Sequence, residues 1–216
     1  MSKNIFTDSD KEAIKAAVAQ LEQESSGELV LYYAKNSDSY EAAAWKFSGL
    51  VGAIYAICIM ALSYLWLLPP NFTPIVISST ILFSIIATFT IAWFFPKVRL
   101  SVTSTAIINR RILTKARDMF LQEQVFNTKD RTGILIYISA LEHKVLVIGD
   151  NGINAKIEKS DWEHIVALVT SGIKNKEMTL GITSAIDACK KLLLDNGFII
   201  KPGDTNELHD SIRVEE

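Results

Sequence analysis

The stretch Arg131–Ile153, "RTGILIYISALEHKVLVIGDNGI", decides the fold. Ile134–Ser139 is a short apolar run rich in β-branched and aromatic residues, and Lys144–Ile148 is another. The linker between them, "ALEH", begins at Ala140 and has the length of a hairpin loop, so the two runs predict antiparallel strands. The second run stops at Gly149-Asp150-Asn151-Gly152, which reads as a turn, with Asp150 suited to an Asx-turn.

Working downstream, Ser160 to Glu163 has capping-box spacing, and Trp162, Ile165, Val166, Val169 and Ile173 form one apolar helical face. A second helix is predicted over about Thr179–Leu194, with Ile182, Ala185, Ile186, Cys189 and Leu193 inward and Asn196-Gly197 as its stop. The tail from residue 201 to 216 is polar and reads as irregular. Upstream of the hairpin, Thr103–Phe126 predicts a long amphipathic helix whose Ile108, Ile112, Ala116, Met119 and Phe120 face inward. Nearer the N-terminus, Ser9 to Glu12 has capping-box spacing, and Ile14, Ala17, Val18 and Leu21 recur on one helical face. Leu29–Ala34 then predicts a strand.

One stretch stands apart. Lys46 and Lys97 are consecutive charged residues, with 50 uncharged positions between them. A membrane span needs about 20 apolar residues. Two such spans fit, about Ser48–Leu68 and Phe72–Phe95, split by Pro69, Pro70, Asn71 and Pro74. A core helix rarely runs this long without a polar stripe. Lys and Arg flank the pair (Lys35, Lys46, Lys97, Arg99, Arg110, Arg111, Lys115) and are absent from the loop, so both flanks are expected in the cytoplasm. The spans contain no ionisable acid or base, which points to an anchor rather than an ion path.

The expected organisation is a first part of an α/β domain over residues 1–45, an inserted transmembrane hairpin over 46–98, the rest of the domain over 99–200, and the tail. The fold class is α/β: a small three-layer sandwich with a short mixed central sheet flanked by helices. The localisation expected is a multi-pass protein of the inner or plasma membrane with both termini cytoplasmic, because the first residues lack an apolar signal segment. The net charge of −2 gives no basic field for nucleic acid. The partners expected are the lipid bilayer and a membrane-associated protein. The two cysteines, Cys58 and Cys189, lie far apart and supply no CxxC.

The motifs "SSGELVLYYA", "MFLQEQVFNTKDRTGILIYISALEHKVLVIGDNGI", "DWEHIVALVTSGIKNKEMTLGITSAIDACKKLL" and "NELHDSI" resemble the TPM domain family of thylakoid, photosystem-repair and nematode membrane proteins. The resemblance implies a small α/β sandwich. It also implies a range of roles, from weak acid phosphatases to photosystem maintenance and divalent-metal binding. This sequence departs from the pattern at His209, where close relatives tend to carry proline, and in the hairpin that interrupts the domain after its first strand.

Topology suggests where chemistry would sit. If the first two strands run parallel and the third returns, Glu28, Asp130 and Asp150 arrive at one rim, with Asn151 beside them. Hard cations such as Ca²⁺ or Mg²⁺ take carboxylate and carbonyl oxygens at such a corner. His143, His164 and His209 have no spacing that joins them as ligands, and Ser25, Ser26 and Ser139 have no visible base. No P-loop or GxSxG is present. The reading is therefore a membrane-anchored TPM-type binding or scaffold module, with a weak metal-dependent phosphatase as the alternative.

Overall fold

A computed structural model describes residues 5–200 and 206–215. The chain forms α1 (Asp8–Glu24), β1 (Glu28–Ala34), α2 (Glu41–Tyr64), α3 (Pro74–Phe94), α4 (Pro96–Ser101), α5 (Thr105–Gln122), β2 (Gly133–Ser139), β3 (Lys144–Gly149), α6 (Asn151–Asn154), α7 (Glu163–Asn175), α8 (Met178–Asp195) and β4 (Arg213–Val214). Two compact units result, one made of residues 1–37 and 110–216, the other of residues 38–109.

In the first unit the strands order as β3-β2-β1-β4. β1 runs parallel to β2, from Glu28 opposite Gly133 to Ala34 opposite Ser139. β2 and β3 are antiparallel, and β4 adds to β1 in parallel. The sheet is thus mixed and flanked by helices, as the sequence predicts. Every residue of β2 is buried, the mark of a central strand covered on both faces. On one face Leu29, Leu31, Tyr33, Ile134, Ile136 and Ile138 pack with Ile14, Val18 and Leu21 of α1 and with apolar residues of α7 and α8. The other face carries Tyr32 stacked on Tyr137, ring centroids 5.9 Å apart. Here α5 buries Ile112, Ala116 and Met119, and Glu123 just beyond its end pairs with Arg213 of β4.

Several local expectations are corrected. The cap of α1 is Thr7, whose side chain accepts from the Asp10 N–H while Asp10 reaches back. Thr7 is extended at φ −72° and ψ 165°, as an N-cap must be, whereas Ser9 already lies inside the helix. In the same way Glu158 and Asp161 form the box that leads into a 3₁₀ turn, Lys159–Trp162, which contains Ser160 and precedes α7. The long helix predicted over Thr103–Phe126 is α5, which ends early, before Gln124 turns left-handed at φ 53°; the short α4 lies wholly upstream of it. The tail is not wholly irregular: Arg213 and Val214 pair with Tyr32 and Tyr33. Residues 201–205 and 216 of that tail lie outside the described residues.

In the second unit α2 and α3 form a helical hairpin. Gly52 lets them close up, since a Cβ there would stand 2.4 Å from Ile85 Cγ1. Trp45, Phe89 and Trp93 form an aromatic row, with centroids 4.4 and 5.9 Å apart. Helix α3 starts with Thr73 as cap and Pro74 in its first turn, the arrangement that suits proline at a helix start.

Two glycines set the approach of α7 to α8. A Cβ on Gly181 would lie 2.7 Å from the Gly172 Cα, and backbone cannot yield as a flexible side chain would. Gly181→Val should therefore lower unfolding stability by about 1–3 kcal/mol. Denaturant melts of the full chain in detergent check this; an unchanged midpoint would show that the helices can slide apart without cost.

Candidate functional site

The start of β1 and β2 and the end of β3 share one end of the sheet, because Glu28 is opposite Gly133 and Ile134 is opposite Gly149. The turns that carry Asp130 and Asp150 touch backbone to backbone. Gly152 N–H donates to the Arg131 carbonyl at 2.9 Å, and a Cβ on Gly152 would strike the Asp130 carbonyl at 2.4 Å. The side chains then diverge. Asp150 is buried, and Arg131 reaches its two oxygens at 2.7 and 3.2 Å. Asp150 Oδ1 also accepts from the Asn151 N–H at 2.7 Å as the cap of α6. So "GDNG" is a strand end that opens a one-turn helix. Asp130 and Asn151 are exposed. A guanidinium already neutralises Asp150, and a cation there would have to displace it.

Glu28 turns elsewhere. Its carboxylate accepts from the Leu208 N–H at 3.3 Å, so the tail lies over it. Beside it stands Glu22, the last buried residue of α1, which accepts from the Leu29 N–H at 3.1 Å and from Asn206 Nδ2 at 2.8 Å. Asn206 also donates to Asp210 at 2.7 Å. Burial pushes the Glu22 carboxyl up to about 8, and the charges of Glu28 and Asp210 push the same way. Glu22, Glu28 and Asp210 thus form an acidic cluster under the tail, of which sequence reasoning named only Glu28. The missing signal was non-local: Glu22 sits at the end of a polar helical run, and Asp210 is far away in sequence. Among the described residues no group of three or more His, Cys, Asp or Glu is arranged to hold a metal ion as the structure stands.

At the other end of the sheet, Ser139 has the partner that the sequence did not reveal. Its Oγ donates to Glu142 Oε2 at 2.5 Å, because the hairpin folds Glu142 back over the strand end. Ser37 Oγ lies 2.7 Å from Ser139 Oγ and 3.0 Å from the Tyr137 hydroxyl, while Ser37 N–H donates to Glu142 at 2.9 Å. Ser139 is fully buried, and burial raises the Tyr137 hydroxyl to about 12. No substrate reaches a sealed hydroxyl, so this network is a clasp that holds the chain as it leaves β1. His143 and His164 are exposed, as is His209.

The raised Glu22 group has a definite pH signature. Between about 4.5 and about 8 the folded chain keeps a proton that the unfolded chain has lost. Stability must therefore fall as pH rises through that window. Glu22→Gln, which mimics the protonated group, should flatten the fall. Thermal midpoints from pH 5 to pH 9 check it; a wild-type curve with no decline above pH 5 would contradict the assigned shift.

Residues 99–192, from α4 into α8, match the family profile described as TPM domain. Among solved structures the chain resembles the NMR structure of BA42 protein from the psychrophilic bacterium Bizionia argentinensis, at 18% identity, with 100% of both chains covered and a TM-score of 0.61. At that identity the likeness speaks for the fold. No curated protein matches the chain. The matched stretch carries β2, β3, α7 and most of α8 of the sandwich, so this part of the chain is similar to the TPM domain.

Proposed function

We propose that the chain is a membrane-anchored binding module of the TPM type, held by α2 and α3 as a bilayer hairpin, with its α/β unit on the cytoplasmic side. The observation that carries this reading is the exposure of two long apolar helices. Only 17% and 6% of their most apolar windows are buried, where a soluble core helix would be mostly covered. Trp66, Ile75 and Phe94 are 93%, 80% and 72% exposed. In water such a surface would far exceed the patch size that monomers tolerate. The basic flanks and the uncharged loop support the cytoplasmic orientation.

The same reading includes a Ca²⁺ or Mg²⁺ drawn to Glu28, Glu22 and Asp210 rather than to Asp150, whose charge Arg131 already meets. A cation would hold Glu22 ionised and tie the tail to the sheet. Binding is preferred to a weak metal-assisted phosphatase because, among the described residues, the groups seen to donate to Glu22 and Glu28 are amides: the N–H of Leu29 and of Leu208, and Asn206 Nδ2. None of these is a nucleophile.

Two experiments separate the parts. For the anchor, the native chain should stay in the membrane pellet after an alkaline carbonate wash. With Cys58→Ser as background, an impermeant maleimide should label Asn71→Cys in intact cells and Ser171→Cys only after permeabilisation. Release into the wash, or the reverse labelling pattern, overturns the topology. For the cation, Ca²⁺ or Mg²⁺ titrated into the full chain in detergent should raise its thermal midpoint with concentration. Glu22→Gln combined with Glu28→Gln should abolish the rise. A midpoint that ignores both ions removes the cation and leaves the anchor standing.

A further inference from the structure

Strand β3 is an edge strand of the sheet, and its hydrogen-bond register shows which of its groups face outward. Asp150 N–H donates to the Gly133 carbonyl at 2.9 Å, so residues 144, 146 and 148 bond inward to β2. The N–H and C=O of Val145 and Val147 therefore point away from the sheet, and no strand among the described residues pairs with them. The edge is closed at one end, where Asn154 Nδ2 donates to the Gly149 carbonyl at 2.5 Å.

A groove of about 720 Å³ runs along this edge. On one side of the groove α5 supplies the wall through Leu113 and Arg117; the other wall is Trp162, at the end of the 3₁₀ turn, and Val166 of α7; Leu146 and Ile148 also line it. Val166 belongs to the apolar face of α7, yet it is only half-buried here, unlike Ile165 and Val169.

We propose that this edge and groove take an extended apolar segment of a partner protein, flanked by carboxylates, which adds to β3 as a further strand. The backbone of Val145 and Val147 supplies the pairing, and the groove takes alternate side chains. The charges choose the flanks. Arg117 and Lys159 are exposed in the groove's lining, against Glu163, and Lys144 is exposed at the start of the edge strand itself. A second copy of this chain would bring those cations together, whereas a carboxylate-flanked segment pairs them. The proposal gives the binding-module reading its surface. It lies wholly within one compact unit, so it can fail while the anchor holds.

The test uses the full chain in detergent and a fluorescein-labelled peptide of alternating valine and threonine with glutamates at both ends. Saturable binding is expected, at least about tenfold tighter than for the same peptide ended in lysines. Val147→Pro removes only an outward N–H, which edge strands tolerate, and should weaken binding about tenfold or more. Arg117→Glu with Lys159→Glu should do the same. A peptide N-methylated at its pairing amides should not bind, and this arm needs no mutant to fold. Absence of saturable binding, or equal binding of the N-methylated peptide, overturns the proposal. So does a dimer in sedimentation that Val147→Pro dissociates, since the occupant would then be a second copy.

Discussion

The fold depends on the parallel ladder between β1 and β2. Seven register pairs join strands that the whole of α2, α3, α4 and α5 separates in sequence. Parallel neighbours cannot be joined by a tight turn, and a crossover must bring the chain back to the starting end. Helix α5 makes that return over the Tyr32–Tyr137 face. The hairpin α2–α3 is spliced into the same crossover, where added length carries only a slowly growing closure entropy. Everything at the two ends of the ladder follows from its register.

At the end where the ladder begins, three chain segments deliver carboxylates to the same rim, and each is neutralised differently. Arg131, next in sequence to Asp130, swings onto Asp150. Glu28 is capped by the backbone of the tail, and Glu22 keeps its proton. At the end where the ladder finishes, Ser37, Tyr137, Ser139 and Glu142 satisfy one another in a closed set. The contrast separates the ends chemically. A fully satisfied network is rigid, while at the other end burial and the neighbouring carboxylates push the Glu22 carboxyl up to about 8.

The strands were legible because both faces of β1 and β2 are covered, so they read as unbroken apolar runs. The parallel and antiparallel senses followed from connection length alone. Caps were less legible. Ser9 and Ser160 satisfied the spacing rule, but so did Thr7 with Asp10, and Glu158 with Asp161 filled the role in place of Ser160. Only backbone dihedrals distinguish such neighbours. The pairing of Arg213 and Val214 was illegible because two residues in a polar tail show no alternation. It is held by contacts remote in sequence: Lys115 to Glu215 at 2.8 Å and Glu123 to Arg213 at 3.0 Å. The rim was legible in its topology but not in its side-chain directions, which Arg131 and the tail determine.

The sheet's two edges show how unequal helix cover turns into function. On the β1 side, β4 is only two residues long, and ion pairs from Glu123 to Arg213 and from Lys115 of α5 to the adjoining Glu215 fasten it; a short charged strand ends the sheet safely. On the β3 side the protection is incomplete. Lys144 guards the beginning and Asn154 closes the end, but the middle keeps outward amides next to half-buried Leu146 and Ile148. Lengthening α6 or tilting α7 over the strand would have covered them. Instead α6 is a single turn, fixed by Gly152 against the Asp130–Arg131 backbone, and α7 is held toward α8 by the Gly172–Gly181 contact. Helix α7 does pack on the Val145 and Val147 face of β3, so the groove lies at the strand's outer edge, between Val166 on one side and Leu113 and Arg117 on the other.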